Sequence, residues 1–311
     1  MIRDQAYELR KLMKKKRDDQ RLAKEAAHLR GLISERPDAR QPRLTRVIAV
    51  TSGKGGVGKS TISANLSLHF ASKGLETILL DADLGLANLD VILGIRPTGT
   101  LFEVIHGNRE LNEIIQHGPM GLKFISGASG ITDLANLGEK ERDHLLSEIS
   151  GLQYEGEIMV IDTGAGLSHN VLGFLMIAQI TIVVVTEEPA SVADGYGMIK
   201  ALRKSRYPGE ICVVMNKVNS IQSGKNLFDK LSMTADRFLG TGLKLVGIIP
   251  ESPLIRESTQ KMTPFFIAHP DSKVTQALRS VGEVVLGHSE YLACAEKEGF
   301  SRRMYSFFFR V

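Results

Sequence analysis

From residue 46 onward the chain alternates short, continuous apolar runs with longer stretches whose apolar residues recur at helical spacing. The runs are Val47–Val50, Thr77–Leu80, Leu122–Ile125, Ile158–Ile161, Ile180–Val185, Ile211–Met215 and Leu245–Ile249. Most lack the in–out alternation of half-exposed strands, and unbroken apolar strands are those covered on both faces, as in parallel sheets. Helical stretches separate most of them. The pattern predicts one α/β domain over residues 46–298, a doubly wound, mostly parallel sheet flanked by helices.

Both ends of the chain read differently. Residues 4–33 contain no proline and are rich in Lys, Arg, Glu, Ala and Leu, so 1–35 is predicted as a helical leader. Its apolar stripes, Leu9, Leu12 and Met13 and then Leu22, Ala26 and Leu29, are too sparse for a core of their own. Residues 36–45, with Pro37 and Pro42 among polar neighbours, form a linker. At the other end Phe300, Met304, Phe307, Phe308 and Val311 fall on one face of a helix over 299–311. Arg302, Arg303 and Arg310 lie elsewhere around it, while Tyr305 and Phe309 widen the apolar side. A basic, Phe-rich helix of this kind suits insertion into an anionic bilayer surface, and two copies in a dimer bind better than one.

Composition narrows the class. With 311 residues, 43% hydrophobic and 24% charged, the chain can bury one large core plus appendages. No apolar run approaches the ~18 residues of a membrane span. Met1-Ile2-Arg3-Asp4-Gln5 lacks the apolar stretch of a secretory signal. The two cysteines, Cys212 and Cys294, offer neither a disulfide framework nor a metal cluster. A cytoplasmic protein is expected. Its net charge of +4 is uneven: residues 1–46 hold 14 Lys and Arg against 7 Asp and Glu, leaving 25 basic and 28 acidic residues in the remainder. Such a leader suits nucleic acid, an anionic membrane or an acidic protein surface, and charge alone does not choose.

The chemistry begins just after the first strand. Gly53-Lys54-Gly55-Gly56-Val57-Gly58-Lys59-Ser60 fits the pattern G-x-x-x-x-G-K-[ST]. Thr61 follows, and the apolar residues 62, 66 and 70 mark a helix face. In a strand–loop–helix setting the glycines let backbone N–H groups and the helix N-terminus point at phosphate oxygens. Lys59 would reach the β- and γ-phosphates of a nucleotide, and the Ser60 hydroxyl would bind Mg²⁺. After the second strand come Asp81 and Asp83, two carboxylates able to face the crevice together, hold Mg²⁺ through water and orient an attacking water. The run Ile158-Met159-Val160-Ile161-Asp162 ends in a further carboxylate for Mg²⁺, followed by Gly164 to Gly166, free to respond to a γ-phosphate. Asn216, at the end of Ile211–Met215, carries an amide able to pair with an adenine edge.

The extra lysine, Lys54, directly after the first glycine, resembles the deviant Walker A box of the MinD/ParA ATPases, SIMIBI-type P-loop NTPases. The resemblance covers about residues 46 to 311. It implies ATP and Mg²⁺ as ligands, hydrolysis of ATP, and an ATP-sandwich homodimer in which Lys54 touches the partner's nucleotide. The text Asp81-Ala82-Asp83-Leu84-Gly85-Leu86-Ala87-Asn88-Leu89-Asp90 resembles the family's MinD-type switch I box. By that likeness Asp83 positions the hydrolytic water and Asp81 helps hold Mg²⁺. Asp162 to Leu167 matches switch II, and Pro250 and Glu251 stand where the family's main-chain groups meet adenine.

Within this family the leader discriminates. Asp4-Gln5-Ala6-Tyr7-Glu8-Leu9-Arg10 fits D-Q-A-x-x-L-R, which resembles the activator motif of the FlhG (FleN, YlxH) group of flagellar-number regulators. In that group the segment stimulates the GTPase FlhF, which implies partner contacts from Asp4, Gln5, Ala6, Leu9 and Arg10. Ala193-Asp194-Gly195-Tyr196 is similar to the same group, with glycine where alanine is usual. The resemblance implies an ATPase that regulates flagellar number and placement. Expected partners are FlhF, components of the flagellar switch complex and, when ATP is bound, an anionic membrane on its cytoplasmic face. A MinD-type division-site regulator is the first alternative. A ParA-type DNA-partition protein is the second, although nucleic acid is not expected among the partners; it predicts binding that falls steeply with salt.

Overall fold

Register joins the apolar runs into one sheet. A computed structural model describes residues 45–83, 88–127, 144, 148, 151–152 and 155–287. The chain divides into Met1–Arg43 and Leu44–Val311, and the described residues belong to the second unit. The expectations for Asp4, Gln5, Ala6, Leu9 and Arg10, for Phe300, Met304, Phe307, Phe308 and Val311, and for residues 84–87 lie outside the described residues.

The strands are β1 (Arg46–Ser52), β2 (Thr77–Ala82), β3 (Gln116–His117), β4 (Lys123–Ile125), β5 (Ile158–Ala165), β6 (Ile180–Val185), β7 (Glu210–Val218) and β8 (Lys244–Pro250). The helices are α1 (Lys59–Ser72), α2 (Leu89–Leu93), α3 (Leu101–Ile105), α4 (Leu111–Ile114), α5 (His169–Ile177), α6 (Pro189–Lys204), α7 (Ile221–Leu239), α8 (Pro253–Gln260), α9 (Phe265–Ala268) and α10 (Lys273–Gly287). The sheet runs β3-β4-β2-β5-β1-β6-β7-β8. All its pairings are parallel except β3 with β4. β1 is central: β2 and β5 lie on one side of it and β6 on the other, which opens a crevice at the strand ends where ligands bind in doubly wound sheets.

Both faces are covered. Val47, Ala49, Leu80, Ile161 and Val183 pack on one side, and Ile48, Val50, Leu79, Val160 and Ile182 on the other. The observed strands extend past the apolar runs because their polar ends still pair, as Ser52 does with Ala165. β3 has no apolar run to announce it. Helix α1 is not the one-sided helix its spacing predicts, since residues 62 to 71 are buried throughout. Two of its buried polar side chains are satisfied within the protein: Ser67 Oγ donates to the Ser63 carbonyl at 2.8 Å, and Asn65 Oδ1 accepts from the Phe266 amide at 2.9 Å. A sheet below it and α2, α9 and α10 around it explain that burial.

Candidate active site

The loop between β1 and α1 owes its shape to close approaches. At Gly53 a Cβ would stand 2.2 Å from the Asp194 carbonyl oxygen of α6, so only glycine fits. At Gly58 φ is +93°, and a Cβ would meet Asn216 Nδ2 at 2.5 Å. Asn216 Nδ2 donates to the Val57 carbonyl at 2.7 Å, and Lys217 Nζ to the Gly56 carbonyl at 2.8 Å. The end of β7 thus braces the loop from behind.

Register then gathers the carboxylates. Asp81 of β2 and Asp162 of β5 are paired residues on neighbouring strands. The side of these strands that carries Leu79 and Val160 packs against α1. Lys59 Nζ lies 3.1 Å from Asp162 Oδ1 and 3.3 Å from Ser60 Oγ, and Ser63 Oγ donates to the same Asp162 oxygen at 2.7 Å. Burial pushes the Asp162 carboxyl up despite the opposing pull of Lys59, Ser60 and Ser63. Asp81 Oδ1 accepts the Asp83 backbone amide at 3.0 Å, while its Oδ2 is buried with no hydrogen-bond partner among the described residues. Burial first, and then the Asp162 charge, push the Asp81 carboxyl up to about 8.

An orphaned carboxylate oxygen beside a second carboxylate and a serine hydroxyl is a hard-oxygen donor set, and it fits Mg²⁺. Ser60, Asp81 and Asp162 would hold the ion, directly or through water. Bound there it would neutralise charge on the phosphates. Among the described residues no group of three or more His, Cys, Asp and Glu could hold a metal, so water and phosphate would complete the shell.

The shift at Asp81 has a measurable consequence. The folded carboxyl holds its proton at pH values where the unfolded one has lost it, so stability falls as pH rises from about 4 to about 8. Metal- and nucleotide-free protein should melt at a higher temperature at pH 5 than at pH 8. Asp81→Asn should flatten that dependence, as read by circular dichroism melts.

A cleft of about 630 Å³ opens over Lys59 and Ser60, whereas Asp81 and Asp162 are buried and do not line it. Its lining includes Lys54, Gly55, Gly56, Gly58, Lys59, Ser60, Thr61, Asp83, Asn216 and Glu251. Asp83 lines it, with Oδ1 3.5 Å from where a Cβ on Gly164 would be, so the segment after β2 meets the end of β5. Ile255 and Phe265 also line it.

Other sites expected from sequence fall differently. Gly53, Val57 and Pro250 do not line the cleft: Gly53 lies under α6, Val57 is buried, and Pro250 pairs with Val218. The Glu251 amide donates to the Val218 carbonyl at 3.0 Å, so it is engaged within the sheet edge. Asn216 keeps its buried Oδ1 without a partner among the described residues, which suits an exocyclic amine of adenine. Lys54 Nζ pairs with Glu188 Oε2 of the same chain at 2.5 Å. Sequence reading missed Ser63, Lys217 and Glu188. The lysine beside Asn216 was the only local hint of them.

Comparison with known proteins agrees with this geometry. The ParA family model, described as NUBPL iron-transfer P-loop NTPase, matches residues 43–286. The antiactivator FleN of Pseudomonas aeruginosa is 40% identical over 77% of this chain and 86% of its own length. The flagellum site-determining protein YlxH of Helicobacter pylori is 32% identical, over 86% of this chain and 90% of its own. Among solved structures, the septum site-determining protein MinD of Pyrococcus horikoshii complexed with Mg-ADP superposes with a TM-score of 0.63. It is 25% identical, over 82% of this chain and all of its own. The chain therefore belongs to the ParA/MinD family of P-loop ATPases. Within that family it is a member of the FleN/YlxH branch, the FlhG group.

Proposed function

We propose that this ATPase regulates flagellar number and placement, stimulating the GTPase FlhF through its leader and reaching the membrane through its C-terminal helix when ATP is bound. The observation that carries the reading is the 40% identity to FleN across the ATPase body. The leader motif Asp4-Gln5-Ala6-x-x-Leu9-Arg10 supports it.

In this reading Lys59 leaves Asp162 to meet the β- and γ-phosphates, and loop N–H groups surround them. Asp83 orients the water that attacks the γ-phosphate. Lys54, held by an exposed ion pair of small worth, exchanges Glu188 for the nucleotide of a second copy. Hydrolysis then ends the dimer and with it the paired membrane contact. Flagellar switch-complex components are further partners in this reading.

The leader provides the test. Gln5 carries an uncharged donor and acceptor able to order a water or a catalytic side chain at a GTPase interface. A peptide of residues 1–35 should raise FlhF GTP turnover without the ATPase body, and a Gln5→Ala peptide should do so much less. A peptide without effect, from a protein that instead answers to a division-site regulator, would move the assignment to the MinD type.

A further inference from the structure

The end of the domain opposite the cleft carries a separate signal. The cleft residues Ser52, Asp83, Ala165 and Asn216 lie at or just beyond the C-terminal ends of the strands. Arg46, Glu210 and Lys244 are the first residues of β1, β7 and β8 and mark the other end. The last turn of α6 and the loop after it are fixed there. Tyr207 is buried with its hydroxyl donating to the Ala178 carbonyl at 3.1 Å, and the Glu210 amide donates to Gln179 O at 2.9 Å. Arg46 Nη1 donates to the Leu286 carbonyl at 3.1 Å, so α10 also ends at this side.

Arg203, Lys204 and Arg206 are exposed at this corner. None of the three enters an ion pair or a side-chain hydrogen bond among the described residues. Arg206 is held at φ +55°, a left-handed position that a flexible polar turn would usually give to glycine. Across β1 the same end is acidic: Glu76 and Glu157 are exposed at the starts of β2 and β5, and Glu155 is already paired with Lys123. Among the described residues the base is therefore polarised, positive under β6 and β7 and negative under β2 and β5.

We infer that Arg203, Lys204 and Arg206 form a contact for anionic phospholipid headgroups that turns the base of the domain toward a bilayer. This rests on the membrane reading above and adds to it a second contact on the folded body. Three cations within four residues match a headgroup layer, whereas a nucleic acid duplex would run on from them over the acidic half of the face. Cations near an anionic surface strengthen binding roughly fivefold each.

The test uses full-length protein with ATP, sedimented with vesicles of mixed phosphatidylglycerol and phosphatidylcholine. R203Q/K204Q/R206N should weaken binding about tenfold or more and leave ATP turnover unchanged; asparagine suits the left-handed position. R203K/R206K, which keeps the charge, should bind like wild type. Deleting residues 299–311 separates the two ideas. Loss of binding on deletion, with the neutralised variant unaffected, would overturn the headgroup contact and leave the tail as anchor. Charge-dependent binding that survives deletion would keep the contact and remove the tail's role. Wild-type protein that ignores these vesicles would overturn both. A neutralised variant that loses affinity for duplex DNA but not for vesicles would reassign the corner to nucleic acid.

Discussion

Lys59→Ala should abolish measurable ATP binding. The ammonium group is buried 3.1 Å from Asp162 Oδ1 and 3.3 Å from Ser60 Oγ, at the mouth of a loop built for phosphate. In the proposed reading its removal takes away the buried cation that meets the β- and γ-phosphates, so affinity should fall by about two orders of magnitude or more. The nucleotide-free fold should suffer too, because Asp162 loses the charge that opposes its burial. Breaking a buried pair on one side typically costs about 3–5 kcal/mol. Protonation of Asp162 would relieve part of that, so the loss should be smaller at pH 5 than at pH 8. Nucleotide titration by fluorescence and thermal melts at both pH values check the two effects.

Asp83→Ala should spare binding and cut turnover. The Asp83 backbone amide donates to Asp81 Oδ1 at 3.0 Å, and alanine keeps that amide. The Asp83 carboxylate is half-buried in the cleft wall, close to the Gly164 backbone. In the proposed reading, losing it removes the group that orients the attacking water and keeps every residue of the phosphate loop. Turnover should drop by about 10²-fold or more, with ATP affinity held within a few-fold. Phosphate release at saturating ATP, read beside equilibrium binding, separates the two quantities.

The fold was legible where chemistry is local. Unbroken apolar runs such as Ile180–Val185 mark covered parallel strands, and the glycine loop with Lys59 and Ser60 states its use in eight residues. Asp81 and Asp162 could be suspected singly, but only register shows that they are neighbours. The braces were not legible. Glu188 meets Lys54 across 134 positions, Lys217 meets Gly56 across 161, and Ser63 meets Asp162 across 99. Each depends on which strand ends lie side by side, which no periodicity records. Strand β3, Gln116–His117, escaped because two polar residues carry no apolar signal. The surround of α1 escaped because its serines bond back to the helix and look from sequence like a solvated face.

The central claim is that one cleft divides its work between a group that binds ATP and a group that turns it over. Binding and phosphate release measured side by side on wild type, Lys59→Ala and Asp83→Ala test it most directly. Wild type should bind and hydrolyse ATP, Lys59→Ala should do neither, and Asp83→Ala should bind without turnover. Equal loss of binding in both variants, or wild-type turnover in Asp83→Ala, would contradict it.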